Sequence, residues 1–186
     1  MTRHVRGTHI LNIIKYVKNK KGVLGEKKMW EKIDEKRGEQ VKRDYSTGEF
    51  VEYDLVLDFF DVVNELFGDD TSDIPRSRDI GRHISESLGH FEYLTHAKGL
   101  KELIQKAEQN WDKVYDFGRI ELTSMEEGKA VIRYYGFPEN DHVCNYFQGS
   151  IEKDMEMLDL GGKIEHTACP LEGDEYIEFT LTWVPK

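Results

Sequence analysis

Two cysteines in 186 residues, Cys144 and Cys169, are too few for a disulfide framework, and the expected compartment is therefore a reducing one, the cytoplasm. Long hydrophobic runs are equally scarce. None reaches the roughly 18 apolar residues of a membrane span, and the apolar positions of residues 10–17 are interrupted by Asn12, Lys15 and Tyr16, so no signal-peptide core is read there. Positive charge is also in deficit: 26 Lys and Arg against 36 Asp and Glu leave a net charge of −10. Counterion release from a phosphate backbone needs clustered cations, so nucleic acid is not an expected partner. Glycine-rich nucleotide loops, the His-Glu-x-x-His zinc motif and the Gly-x-Ser-x-Gly elbow are all missing, which removes the usual grounds for expecting an enzyme.

Against these absences stand nine Phe, nine Tyr and three Trp spread along the chain. They supply enough apolar surface for one core, and the expectation is a single domain, 1–186. Ile10, Ile13, Ile14 and Val17 fall at helical spacing within residues 7–20, a face that also serves as the candidate dimer surface. Gly22 and Gly25 break that helix from a second one carrying Met29, Trp30 and Ile33. Asp54 is the expected N-cap of a third helix with the face Leu55, Phe59, Val62, Val63 and Leu66. After a loop rich in Asp and Ser around Pro75, Ile80, Ile84 and Leu88 predict a fourth helix. Leu100, Leu103, Ile104, Ala107, Trp111 and Val114 predict a fifth of about four turns. The first 115 residues thus read as all helical.

Beyond Asp116 the period changes to two. Residues around Ile120–Leu122 and Ala130–Tyr134 alternate and are joined by a short turn, a hairpin; Val143, Phe147, Ile151, Met155 and Leu158 then mark a helix, and residues 163–169 and 175–184 a second hairpin. The expected class is α+β: N-terminal helices packed on a four-stranded antiparallel sheet made of two hairpins separated by a helix.

This order of parts, with Gly149, Gly161, Cys169, Gly173 and Asp174 in the stretch from Cys144 to Phe179, resembles the 4-vinyl-reductase or hydrocarbon-binding domains. Those domains are fold relatives of the small TRAPP subunits and of the haem nitric-oxide-binding sensors. The resemblance implies a homodimer that encloses a small hydrophobic molecule between helices and sheet, for binding or sensing. Two alternatives stand beside it: a dimeric scaffold in the manner of the TRAPP subunits, and an enzyme or carrier for a tetrapyrrole-like substrate.

Candidate pocket residues are Phe59, Phe91, Tyr93, Tyr134, Tyr146 and Phe147, aromatic side chains on core-facing stripes. Cys144, His166 and Cys169 are the concentrated soft ligands, and some relatives in the resembled family carry zinc near such positions; here Tyr176 stands where that family often has a further Cys. Zinc prefers four protein ligands in a structural site, and three fall short. His166 and Cys169, three apart, also point to opposite faces of a regular strand unless it ends or bulges between them. Two buried reduced cysteines are the favoured reading, zinc the minor one. Haem is not expected, because the helix around residues 100–114 carries no His where the related sensors place their axial ligand, Trp111 stands near that place, and their Tyr-x-Ser-x-Arg signature is missing. His83, His90 and His96 are the remaining histidines weighed for that role.

Overall fold

The computed structural model describes residues 2–68, 73–86 and 97–185. The expected positions Leu88, His90, Phe91, Tyr93 and His96 lie outside them. Helix α1 spans Thr8–Arg37 and bends at Gly22, whose φ of 67° and ψ of −168° only a residue without Cβ adopts at low cost. The two helices expected around residues 22–25 are therefore one kinked element. Ile10, Ile13 and Val17 are fully buried within the monomer, which removes this face as a dimer surface.

Two short strands correct the all-helical reading of the first 115 residues. β1 (His4–Arg6) pairs antiparallel with β2 (Phe50–Glu52), each too short to show an alternating pattern. On its other side β1 is stitched to the segment after the fifth predicted helix: the Arg6 amide donates to the Val114 carbonyl (2.9 Å), and the Asp116 amide to the His4 carbonyl (3.1 Å). Helix α2 is Tyr53–Leu66, beginning one residue before the expected cap, so Asp54 sits in its first turn. There the carboxylate still favours the positive end of the helix dipole. α3 is Arg76–Ser85 and α4 is Leu100–Gln109. The predicted stripe to Val114 is interrupted at Asn110, after which Trp111–Lys113 form a 3₁₀ turn. The Asn110 side chain donates to the Lys106 carbonyl (2.8 Å), competing with continuation of the helix.

The C-terminal half follows its pattern closely. β3 (Arg119–Glu126) and β4 (Lys129–Tyr135) form the first hairpin, α5 (Asp141–Met157) follows, and β5 (Gly162–Ala168) and β6 (Tyr176–Trp183) form the second. The four pair antiparallel in the order β3-β4-β6-β5. Ala130, Ile132 and Tyr134 from β4 and Ile177, Phe179 and Leu181 from β6 are buried on one face, beneath the helices. The opposite face holds polar pairs such as Arg133 Nε to Glu178 Oε2 (2.7 Å), as expected of an antiparallel sheet covered on one side.

Helices α3 and α5 cross at backbone contact. A Cβ on Gly81 would lie 2.1 Å from the Tyr146 carbonyl oxygen, and one on Gly149 would lie 2.0 Å from that of Arg78. This crossing is flanked by Arg82 Nη2 to Glu156 Oε1 (2.6 Å) and Ser85 Oγ to Ser150 Oγ (2.7 Å), and it fixes where α5 lies over the sheet. Gly149→Ala is expected to destabilise the fold by about 1–3 kcal/mol, the usual cost of overpacking. Gly161→Ala, where a Cβ meets nothing within 4 Å, is the control expected to leave the urea midpoint unchanged.

Candidate functional site

Between the start of α1, α4 with its 3₁₀ turn, β3, β4 and α5 lies a cavity of about 490 Å³. Ile84, Leu100, Leu103, Ile104, Ala107, Val114, Ile120, Ile132 and Ile151 supply aliphatic wall, and Trp111, Tyr115, Tyr134, Tyr146 and Phe147 supply aromatic wall. Two stacked ring pairs stiffen it. Trp111 lies on Tyr115 with centroids 4.6 Å apart, and Tyr134 on Phe147 at 4.0 Å. The indole N–H of Trp111 donates to the Phe117 carbonyl (3.0 Å), which locks that ring in place.

The aromatic positions picked from sequence divide three ways. Tyr134, Tyr146 and Phe147 line the cavity. Phe59 is fully buried but packs edge-on to Trp30 in the core between α1 and α2, away from the cavity wall. Phe91 and Tyr93 are outside the described residues. The sequence reading missed His9, Tyr115 and Asp154, and placed Trp111 on a helix stripe and near the axial-ligand place of the related sensors; no periodic pattern marks them as neighbours, since tertiary packing alone brings them together.

His9 is 8% exposed and bonded at both nitrogens. Nδ1 lies 3.2 Å from the Arg6 carbonyl and Nε2 2.9 Å from the Tyr115 hydroxyl. A carbonyl can only accept, so Nδ1 carries the proton, and in the neutral ring Nε2 accepts from Tyr115. Burial lowers the pKa of His9 to about 4, a shift only partly opposed by the backbone hydrogen bond at Arg6. The phenols of Tyr115, Tyr134 and Tyr146 are pushed well up by burial and stay protonated. Asp154, 9% exposed, is the one carboxylate among the described wall residues, and Arg6 and Lys113 are the cations. The lining is thus largely apolar, with a few polar handles, as in small-molecule sites.

A second cluster lies outside this wall. Cys144 in the first turns of α5, His166 on β5 and Cys169 just beyond it place their ligand atoms within 4.8 Å of one another. The two sulfurs are 3.6 Å apart and both cysteines are buried, while His166 is exposed and stacks on Phe179 at 5.0 Å. The strand bulges where the sequence left the question open. A register shift between His166 and Ala168 inserts Thr167 as an extra residue, so His166 and Cys169 come to share one side. Tyr176 packs on Tyr135 (5.4 Å) and on Arg133 instead of joining the cluster.

No family model matches the chain, and no curated protein matches it. Solved structures do. An H-NOX protein from S. oneidensis in the Fe(II)NO ligation state aligns with a TM-score of 0.74 at 12% identity, covering 96% of this chain and 98% of that one. An oxygen-binding H-NOX domain related to soluble guanylate cyclases aligns at 0.69 and 15% identity, covering 96% and 94%. An H-NOX structure concerned with haem distortion aligns at 0.71 and 16%, covering 97% and 96%. At these identities the likeness establishes a shared fold.

That likeness overturns the expectation against haem, because the structures sharing this fold over nearly its whole length include ones concerned with haem in H-NOX domains. A missing His on α4 was a sequence criterion, and the three-dimensional wall offers other donors. The cavity is large and apolar enough for a flat macrocycle. Among the described wall residues the imidazole of His9 is of a type that ligates haem iron, and the phenols of Tyr115, Tyr134 and Tyr146 supply hydrogen-bonding hydroxyls. The set fits the group chemically, with His9 having to give up its bond to Tyr115 if it is to serve.

His9 gives a pH signature. Its folded pKa of about 4 lies below the ordinary 6.5, so between those values the unfolded chain binds a proton that the folded one does not. Stability should therefore be fully present above pH 6.5 and fall as pH drops towards 4, by about 3 kcal/mol from this residue. His9→Gln, measured by urea unfolding at several pH values, is expected to flatten the slope in that window.

Proposed function

We propose that this protein binds a small, largely apolar ligand in the cavity between α1, α4 and the sheet, in the service of sensing or carriage. The observation that carries this reading is the cavity itself: about 490 Å³ of mostly apolar wall held open by two stacked ring pairs. Pockets of this size take ligands of cofactor or drug dimensions. The sharing of the fold with haem-based H-NOX domains supports it at the level of architecture. The resemblance of the stretch from Cys144 to Phe179 to hydrocarbon-binding domains supports the same ligand class. A scaffold with a vestigial pocket would be expected to have a filled interior, so the cavity favours binding over that alternative.

Haem belongs among the ligands to be tested. Of the described residues, His9, released from Tyr115, would hold its iron. Bound there, haem would supply an iron centre for a small gaseous ligand. The protein's own part is to exclude water, to keep His9 neutral, and to offer the Tyr115, Tyr134 and Tyr146 hydroxyls as hydrogen-bonding groups.

Native mass spectrometry of the freshly purified protein, with an absorption titration of the stripped protein with haemin, decides between these ligands. The expected result is one bound organic molecule or one haem per chain, lost in Ala107→Trp, which fills the cavity. Wild-type protein that carries no ligand and takes up neither haemin nor an apolar dye would overturn the reading.

A second reading concerns the cluster near the end of β5. We infer that Cys144, His166 and Cys169 hold a soft divalent ion, zinc foremost, with water or a fourth side chain completing the site. Tetrahedral zinc thiolates at about 2.3 Å place their sulfurs roughly 3.8 Å apart, near the 3.6 Å found here. Burial and the neighbouring sulfur push the Cys144 thiol up, so a cation is what would hold it as thiolate. Elemental analysis should find about one zinc per chain, removed by Cys169→Ser with a fall in thermal midpoint. Protein that stays metal-free after exposure to zinc would identify the cysteines as buried thiols.

A further inference from the structure

We propose that the ligand carries a carboxylate on its apolar body, and that Arg6 and Lys113 bind that group at the edge of the cavity; this rests on the cavity reading above. Both residues line the cavity, from opposite sides of the β1 to Val114 seam. Arg6 is held in one orientation. Its Nε donates to the Lys113 carbonyl (2.5 Å), Nη1 to the Gly48 carbonyl, and the guanidinium sits 4.4 Å from the Phe50 ring centroid. Lys113 Nζ donates to Asn110 Oδ1 at 2.6 Å. Among the described residues, neither cation has a carboxylate within ion-pair distance, in a chain that carries ten excess negative charges.

Two acids of nearby segments are committed elsewhere, and the carboxylate on the wall itself is Asp154. Glu49 pairs with Lys42 (2.7 Å) and Asp116 with His4 (2.7 Å). Thr8, Asn12 and Thr47 add a hydroxyl, an amide and a second hydroxyl to the same part of the wall. Thr8 also opens α1, whose first turn contains no acidic residue, so the positive end of the helix dipole lies in this region. A guanidinium fixed by two carbonyls and an aromatic ring is pre-organised for a planar carboxylate, since little side-chain freedom remains to be lost. The aliphatic and aromatic walls then receive the rest of the molecule.

Two sources share this chemistry, a long-chain fatty acid and a porphyrin with carboxylate side chains, and paired probes separate them. Stripped protein is titrated with cis-parinaric acid and its methyl ester, and with protoporphyrin IX and its dimethyl ester, following ligand or tryptophan fluorescence. In one pair the acid is expected to bind roughly tenfold tighter than the ester, the size of one charge-assisted hydrogen-bonded contact, and that pair names the source. Lys113→Met, at an exposed position, and Arg6→Met should each weaken the acid several-fold and leave the ester unchanged. Arg6→Lys should restore part of the loss, which separates charge from folding. Equal affinity for acid and ester in both pairs, or acid binding indifferent to both Met variants, would overturn the carboxylate assignment while leaving the cavity reading intact. Failure of all four probes to bind would overturn both.

Discussion

The N-terminal strand His4–Arg6 is bonded on one edge to Phe50–Glu52 and on the other to the segment Val114–Asp116, and most of what is distinctive in this molecule depends on that double seam. It brings together three parts of the chain more than forty residues apart in sequence. It sets the first turn of α1, and hence His9, against Tyr115; it sets Arg6 beside Lys113; and it closes one side of the cavity. Without it α1 and the end of α4 would have no fixed relation, and the His9 to Tyr115 bond, which leaves both partners neutral, could not form.

The cavity persists because its walls cannot collapse onto one another. Protein interiors close voids by repacking flexible side chains, but here flat rings are braced in pairs, and the Trp111 indole is tied to the backbone at Phe117. On the far side, α5 is held by the glycine crossing with α3, where its backbone is already at contact distance and cannot advance. The space is therefore a consequence of rigidity on both sides. Its polar groups are arranged to be quiet: an imidazole kept neutral by burial, phenols kept protonated, and cations confined to one edge.

The architecture is shared with H-NOX domains, whereas the resemblance to hydrocarbon-binding domains was a reading of the sequence that no family model matches. The first concerns the whole layered arrangement of helices on the sheet. The second concerns the stretch that carries α5, β5 and β6, and with it the cysteine and histidine cluster. The two sites are built on the same helix, since Cys144 lies in the first turns of α5 while Tyr146, Phe147 and Ile151 face the cavity within the two turns that follow. An ion at the cluster would thus brace the helix that forms one cavity wall.

Period alone determined the C-terminal half from sequence: strands that bury one face must alternate, and Ile177, Phe179 and Leu181 do so without ambiguity. The helix faces around Ile10 and Phe59 were legible for the same reason, although their period could not say whether they met the monomer's own core or a partner. Three of the cavity's aromatic residues, Tyr134, Tyr146 and Phe147, were within reach of that reasoning. His9, Tyr115 and the Arg6 to Lys113 edge were not, because their roles come from pairing over more than a hundred residues, which local pattern does not encode. Haem was misjudged on the same ground, by asking for one His on the helix around residues 100–114 and one local signature, Tyr-x-Ser-x-Arg. The strand bulge at Thr167 likewise lay beyond sequence, since an extra residue in a ladder is decided by what the partner strand offers, and only the folded sheet places His166 and Cys169 on one side.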